Sequence, residues 1–392
     1  MQAVSPTAGQ VFGAIVAHMI ARQAVARGTD AERVATQLAE QLRAPDLRFA
    51  FVFADWRLDP ATIARVSQRG LDPAPVAGGT TTGVIARETG DLAAVGLGLY
   101  GDWARIGIGV AAEISKSPLT RSRDAVRIAA GALGTTAEAL DPARHIGITI
   151  LDGKCGHEEA FCIGSAAAVP QIRVIGGCAS VDPQGPGRPY VWVRGEAMAD
   201  AGLVLVLESE LPFCAVTSAH LVPTDRKCVV TGAAGRVIDE LDGMPAVPRL
   251  HELVDGLGER LDDNQPLQYS FARYIDGQPY VRSMTHIIDG RIHVATAVEV
   301  GHVLRIMRPL DLIGTTRRDL AATAERVGGT VSALLAFSCI ARHWEAAARG
   351  LVTELGAAYS AYPTVGFQSF GEQSGMLLVN HTLTGLAIGA PR

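Results

Sequence analysis

One frame occurs twice in this chain: an apolar strand, an acidic-x-basic triplet, a helix, and a second strand that runs into Val-x-Gly-Gly. The first copy has "LRFAFVFA" at residues 47–54, then Asp55-Trp56-Arg57, a helix near 60–69 and "PVAGGTTTG" at 75–83. The second has "HIGITIL" at 145–151, then Asp152-Gly153-Lys154, a helix near 158–168 and "RVIGGCAS" at 173–180. Two more strands close each copy, 92–100 with 104–114 and 202–208 with 213–221. A recurring frame of this length means one supersecondary unit used again, whose apolar faces are buried against its copies. Segments 47–114 and 145–221 therefore read as an internal duplication, with Gly78-Gly79 equivalent to Gly176-Gly177. A fainter third copy starts at the strand 331–338, passes a helix, enters "TVGFQSFGE" (364–372) and ends in "NHTLTGLAIG" (380–389).

The expected class is α/β: repeated strand–helix–strand–strand modules with mixed sheets, because the closing strand pairs read as hairpins. A strand over 12–20 and a helix over 30–42 with an Asp30 or Thr29 cap precede the first copy. Between the second and third copies the pattern changes to hairpins with Asp-Gly turns, at 229–246 and 281–307. Pro245 and Pro248 place a boundary near 247, giving two domains, 10–247 and 248–392.

The chain has 392 residues, of which 48% are hydrophobic, enough for a large core. Its net charge of −5 and mixed charge clusters argue against nucleic acid as a partner. The apolar stretch 11–20 is too short to span a membrane. Six scattered cysteines without a CxxC pair read as reduced residues of a cytoplasmic protein.

"PVAGGTTTG", "RVIGGCASVD" and "VVTGAAGRVIDELDGMPA", followed by "ALLAFSCIAR" and "VGFQSFGEQ…VNHTLT", together resemble the signatures of the FIST family, N-terminal then C-terminal domain. The resemblance runs through nearly the whole chain. It implies a stand-alone sensor in bacterial signal transduction, with the output carried by a kinase or cyclase in trans. One subgroup that the layout resembles binds haem and senses nitric oxide. The expected partners are thus a small molecule or gas and a second copy of the chain. The alternative is a haem-dependent or Cys/His-dependent enzyme acting on a small molecule.

The candidate ligand residues are Gly79, Thr80, Thr81, Thr82, Gly177, Cys178, Arg342 and Glu372. The glycines and threonines read either as a strand-end turn offering N–H groups and hydroxyls to a ligand, or as a tightly packed turn. Arg342 follows an apolar strand and either clamps a carboxylate or pairs with Glu372 or Glu345. Arg57, Lys154 and Arg342 follow their strands in comparable places, so the three cations are expected to converge on one anion. Cys155 and His157 lack metal-site spacing and read as an ordinary turn. For haem, a neutral histidine in an apolar setting is needed. His381 is the first candidate and His302 the second, with His286 and His293 as rivals; each reads equally as a hydrogen-bonded core residue.

Overall fold

The computed structural model describes residues 20–88, 91–264, 266–275 and 277–391. The strand expected over 12–20 lies, up to residue 19, outside the described residues. The described chain forms three units of one order. The first is β1 (Ala21–Ala26), α1 (Ala31–Leu42), β2 (Leu47–Asp55), α2 (Pro60–Leu71), β3 (Val76–Thr81), β4 (Val84–Ala86) and β5 (Ala94–Tyr100). The second is β6 (Ala104–Ala112), α3 (Pro118–Ala132), β7 (His145–Asp152), α4 (Glu158–Ala167), β8 (Val174–Ala179), β9 (Val191–Val193), β10 (Glu196–Met198) and β11 (Ala201–Ser209).

The third unit opens with β12 (Phe213–Ala219) and is then interrupted. The insertion holds β13 (Leu221–Ala234), β14 (Val237–Leu241), β15 (Met244–Pro245), α5 (Ala246–Asp255), β16 (Ser270–Ile275), β17 (Gln278–Ile288), β18 (Arg291–Val294) and β19 (Val303–Pro309). The unit resumes with α6 (Leu312–Arg326), β20 (Val331–Cys339), α7 (Ile340–Ala348), α8 (Val352–Ser360), β21 (Thr364–Ser369), β22 (Glu372–Ser374), β23 (Leu377–Val379) and β24 (Thr382–Gly389).

Local chemistry fixes several boundaries. Asp30 and Asp59 cap α1 and α2 by accepting from the N–H groups of Arg33 and Thr62. Pro60 begins α2, where its missing N–H costs nothing. In α1 the buried residues Val34, Ala35, Leu38 and Leu42 repeat at helical spacing and cover one sheet face.

In each unit the strand before the second helix pairs in parallel with the strand after it, and antiparallel with the closing strand. The mixed sheets expected from the sequence are therefore present, but not through hairpins. β5 and β6 are neighbours in sequence and belong to different sheets: β6 pairs with β11 of the second unit. Likewise β12 pairs with β24 of the third. Each closing strand lies second from the edge of its sheet, and after β5 and β11 the chain steps to the outer strand of the next.

The units also exchange strands. β9 of the second adds to β3 of the first, β22 of the third to β8 of the second, and β4 of the first to β21 of the third. This closes a ring of three sheets in which each unit completes its predecessor. The inner faces share one core, where Phe53, Ile150 and Phe337 hold matching positions opposite Gly79, Gly177 and Phe367. The rings of Phe53, Phe337 and Phe367 contact one another at centroid separations of 4.7–6.4 Å. Helices cover the outer faces. Burying each such side chain contributes roughly 1.5–3 kcal/mol.

Gly78, Gly176 and Gly366 hold matching places, each opposite the first-strand residue one before Phe53, Ile150 and Phe337. An added Cβ would meet a backbone carbonyl oxygen of the paired strand at 1.6, 2.3 and 1.8 Å respectively. These glycines let backbone approach backbone in all three sheets.

The inserted segment forms a seven-stranded antiparallel sheet with its own core, in the order β13-β19-β16-β17-β18-β14-β15. The chain leaves at His220 and returns at Leu310, whose N–H donates to the His220 carbonyl at 2.7 Å.

Glu372 opens the exchanged strand β22 and is fully buried. It accepts from the Ser369 and Thr382 hydroxyls, both at 2.6 Å. Burial pushes its pKa up to about 8 against the pull of those hydroxyls and of Arg342.

Two predictions follow from this packing. Gly78→Ala forces two strands apart and should cost at least about 1–3 kcal/mol in a denaturant titration. Gly79→Ala meets nothing closer than 3.2 Å and should cost clearly less; equal losses would remove the close-approach argument. A carboxyl raised in the folded state stabilises fully below its unfolded pKa, and that contribution is lost as pH rises through the folded value. The stability difference between wild type and Glu372→Gln should therefore shift against wild type by a few kcal/mol between about pH 4.5 and 8. A pH-independent difference would contradict it.

Candidate functional site

An opening with both apolar and polar walls lies where the inserted sheet meets the ring. It is a cleft of about 520 Å³. The ends of β7 and β20 supply Gly153, Lys154 and Cys339, α7 supplies Trp344, and the β21–β22 turn supplies Phe370. From the inserted sheet come Ser283, Thr285, His286, Ile288, His293 and Val294 on β17 and β18. Strand C-termini are where α/β sheets gather ligand-binding groups, and this cleft follows that rule for two of the three units.

The two histidines are a direct cross-strand pair across the Asp289-Gly290 turn. His286 sits edge-on to Trp344 at 6.3 Å. Burial, then the neighbouring His293, lower its pKa, so its imidazole is neutral at neutral pH. The Ser283 hydroxyl is fully buried and finds no hydrogen-bond partner in the protein. Lys154 donates to the carbonyls of Asp182, Gly185 and Gly187 at 3.0–3.4 Å, which pins the loop carrying Pro183 and Gln184 over the cleft. Arg236 pairs with Glu158 at 3.3 Å. Burial pushes the Cys339 thiol well up, so it stays protonated.

Most residues singled out from the sequence sit elsewhere. Gly79, Thr80 and Thr81 are not in a turn: they are buried within β3. Thr80 accepts from the Tyr190 N–H at 3.0 Å, and Thr81 donates to the Gly83 and Gln368 carbonyls. Thr82 lies beyond the strand on a second cleft of about 500 Å³, with Arg57 and Gln368. Gly177 and Cys178 are buried within β8.

The three cations do not converge. Arg57 is exposed and paired with Asp55, Lys154 holds its loop, and Arg342 is fully buried on the Thr316 hydroxyl at 2.6 Å. Arg342 begins one residue too late to match Arg57 and Lys154, because β20 ends at Cys339 where the others end at aspartate. Neither expected salt bridge forms: Glu372 accepts from hydroxyls, and Glu345 accepts from histidines and Arg349.

The two histidines expected to bind haem do not fit that role. His381 is fully buried, its Nε2 sits 2.9 Å from Glu345, and its ring packs 5.1 Å from His220, which leaves no room for a macrocycle. His302 accepts from the Glu299 N–H and lines neither cleft. Of the rivals, His286 and His293 do line the larger cleft. Ser283, Thr285 and Trp344 escaped notice in the sequence. The alternation of Ser283 and Thr285 before the Asp289-Gly290 turn is the one signal for the two β17 residues, and it reads equally as sheet packing.

A search for curated relatives returns no match. Among solved structures, a crystal structure of cyanuric acid hydrolase from A. caulinodans matches over 95% of this chain and 99% of that one, at 12% identity and a TM-score of 0.32. No helix among the described residues is long and apolar enough to cross a membrane. The FIST N domain model matches residues 48–244 and the FIST C domain model residues 246–375, so the chain belongs to the FIST family, whose domains sense small ligands in signal transduction.

Proposed function

We propose that this chain senses a planar, amphipathic small molecule held in the cleft between the ring and the inserted sheet. The observation that carries this reading is the juxtaposition, in one cleft, of apolar walls with the unpartnered Ser283 hydroxyl and the paired His286 and His293. Trp344 and Phe370 offer flat surfaces, and the polar groups set orientation, the usual division of labour in a ligand pocket. A ligand bridging the ring and the inserted sheet has contacts with both, and so biases how they sit together. A separate kinase or cyclase reads that difference in trans, in the cytoplasm, where six free cysteines stay reduced.

Haem is the version of this ligand that supplies nitric oxide chemistry. His286 or His293 would hold it, since these are the imidazoles on the cleft wall. The enzyme alternative is weaker on one physical point: the cleft's thiol, Cys339, is held protonated and is a poor nucleophile.

Native mass spectrometry of the purified chain tests the cleft. A co-purifying small molecule is expected in wild type and depleted about 10- to 100-fold in Trp344→Ala, the usual scale for losing a central aromatic anchor. Equal retention in Trp344→Ala and in Ser283→Val would move the ligand elsewhere. Hemin titration tests the haem version separately. A saturable Soret band should disappear in the double variant His286→Ala with His293→Ala and persist in His302→Ala; a band that survives the double variant excludes these ligands.

A further inference from the structure

Two residues on the wall of the large cleft, Trp344 and Asn380, are each followed in sequence by a residue of a buried cluster. Glu345 and His381 meet His220 there. The Glu345 Oε2 lies 2.6 Å from His220 Nε2 and 2.9 Å from His381 Nε2, and the three atoms lie within 4.8 Å of one another. No side chain of the three is more than 4% exposed. Two donors bound to one ion at ~2.1 Å stand ~3 Å apart when they are adjacent in its coordination sphere. Two of the three separations in this cluster are therefore close to those of an assembled ligand set, and a small turn of the two rings would complete it.

We infer that His220, Glu345 and His381 form a binding site for a divalent transition-metal ion of the zinc, cobalt or iron(II) class. Two imidazoles and one carboxylate suit such ions and leave further coordination positions open. Burial lowers the His220 pKa to about 4, so that ring is neutral at neutral pH. Burial pushes Glu345 up, but the hydrogen bonds from His220 and His381 outweigh it and hold the carboxyl well below its usual range.

The protons also have somewhere to go. In the metal-free cluster each Nε2 carries the hydrogen that points at Glu345. The Nδ1 atoms of His220 and His381 are buried without any hydrogen-bond partner. A ring whose Nε2 donates its lone pair to the ion carries its hydrogen on Nδ1 instead.

Arg349 binds Glu345 through Oε1 at 2.6 Å and leaves Oε2 to the metal. Arg342, buried on Thr316, and Arg349 both oppose the ion's charge. Glu345 offsets one of them, and Glu372 offsets the other once it ionises. A smaller cleft of about 380 Å³ between α7 and the inserted sheet has Glu345 on its wall. The ion would fasten α7 to His220, the residue at which the chain departs for the inserted sheet. This site stands independently of what the large cleft binds.

The test uses the full chain, stripped with a chelator and titrated with cobalt(II) alone. Saturable d–d absorption at one equivalent is expected, and a melting temperature that rises with cobalt. Both should be lost in Glu345→Gln and in His220→Gln, and kept in His251→Ala, an exposed histidine on Asp263. A folded wild type without d–d bands overturns the site, as do bands that survive the double variant Glu345→Gln with His220→Gln. Should the variants not fold, imidazole nitrogen NMR of wild type decides. Zinc(II) should move two of the ten histidines from the Nε2–H to the Nδ1–H tautomer, and ten unchanged rings reduce the cluster to a hydrogen-bonded core.

Discussion

The ring of sheets depends on three places where backbone lies against backbone. At Gly78, Gly176 and Gly366 a methyl group has no room beside the paired strand. That close approach sets the two parallel strands of every unit, β2 with β3, β7 with β8 and β20 with β21, and so sets where Phe53, Ile150 and Phe337 point. Everything nearer the surface inherits this arrangement. The second-strand edges lie open to receive β9, β22 and β4, and each edge that pairs with a neighbour is an edge no longer available for unwanted pairing.

The candidate cleft arises because the third unit is interrupted. All three units have strand ends of the kind that hold ligands, but only at the second and third does an inserted sheet roof them. The roof has its own core and is tied to the ring through His220 and Leu310. In the proposed reading the ligand sits between two parts that each have a core of their own. That is the simplest physical arrangement by which occupancy becomes shape.

The class was legible in the sequence because its signals are local. Buried strands such as 47–54 are continuous apolar runs, and helices such as α1 carry caps and period. The third unit is faint because Phe367 stands where the others have a second glycine, and because 89 residues, 221–309, separate its first strand from the next helix. Strand pairing was less legible. Residues 92–100 and 104–114 look like a hairpin, since nothing within them says that the first pairs back to β1 and β2 and the second forward to β11. The site failed for a related reason. Glycine and threonine runs mark both ligand loops and tight strands, and Arg342 looked free because Thr316, its partner, lies 26 residues earlier on another element. The wall residues Ser283 and Trp344 become a site only when the inserted sheet folds back over α7.

The strand exchange also orders events in time. β24 is the last strand described, yet it lies between β12 and β20 in the interior of its sheet. β12 therefore waits through more than 160 residues of chain growth for its neighbour. Until then the second unit also lacks β22, and one edge of β8 stays bare. Contacts so distant in sequence are slow to form and leave apolar edges exposed meanwhile. On a ribosome the first unit can collapse early, but the third sheet is whole only when the final strand arrives. A nascent chain of this design spends most of its synthesis with strand edges that have no partner yet.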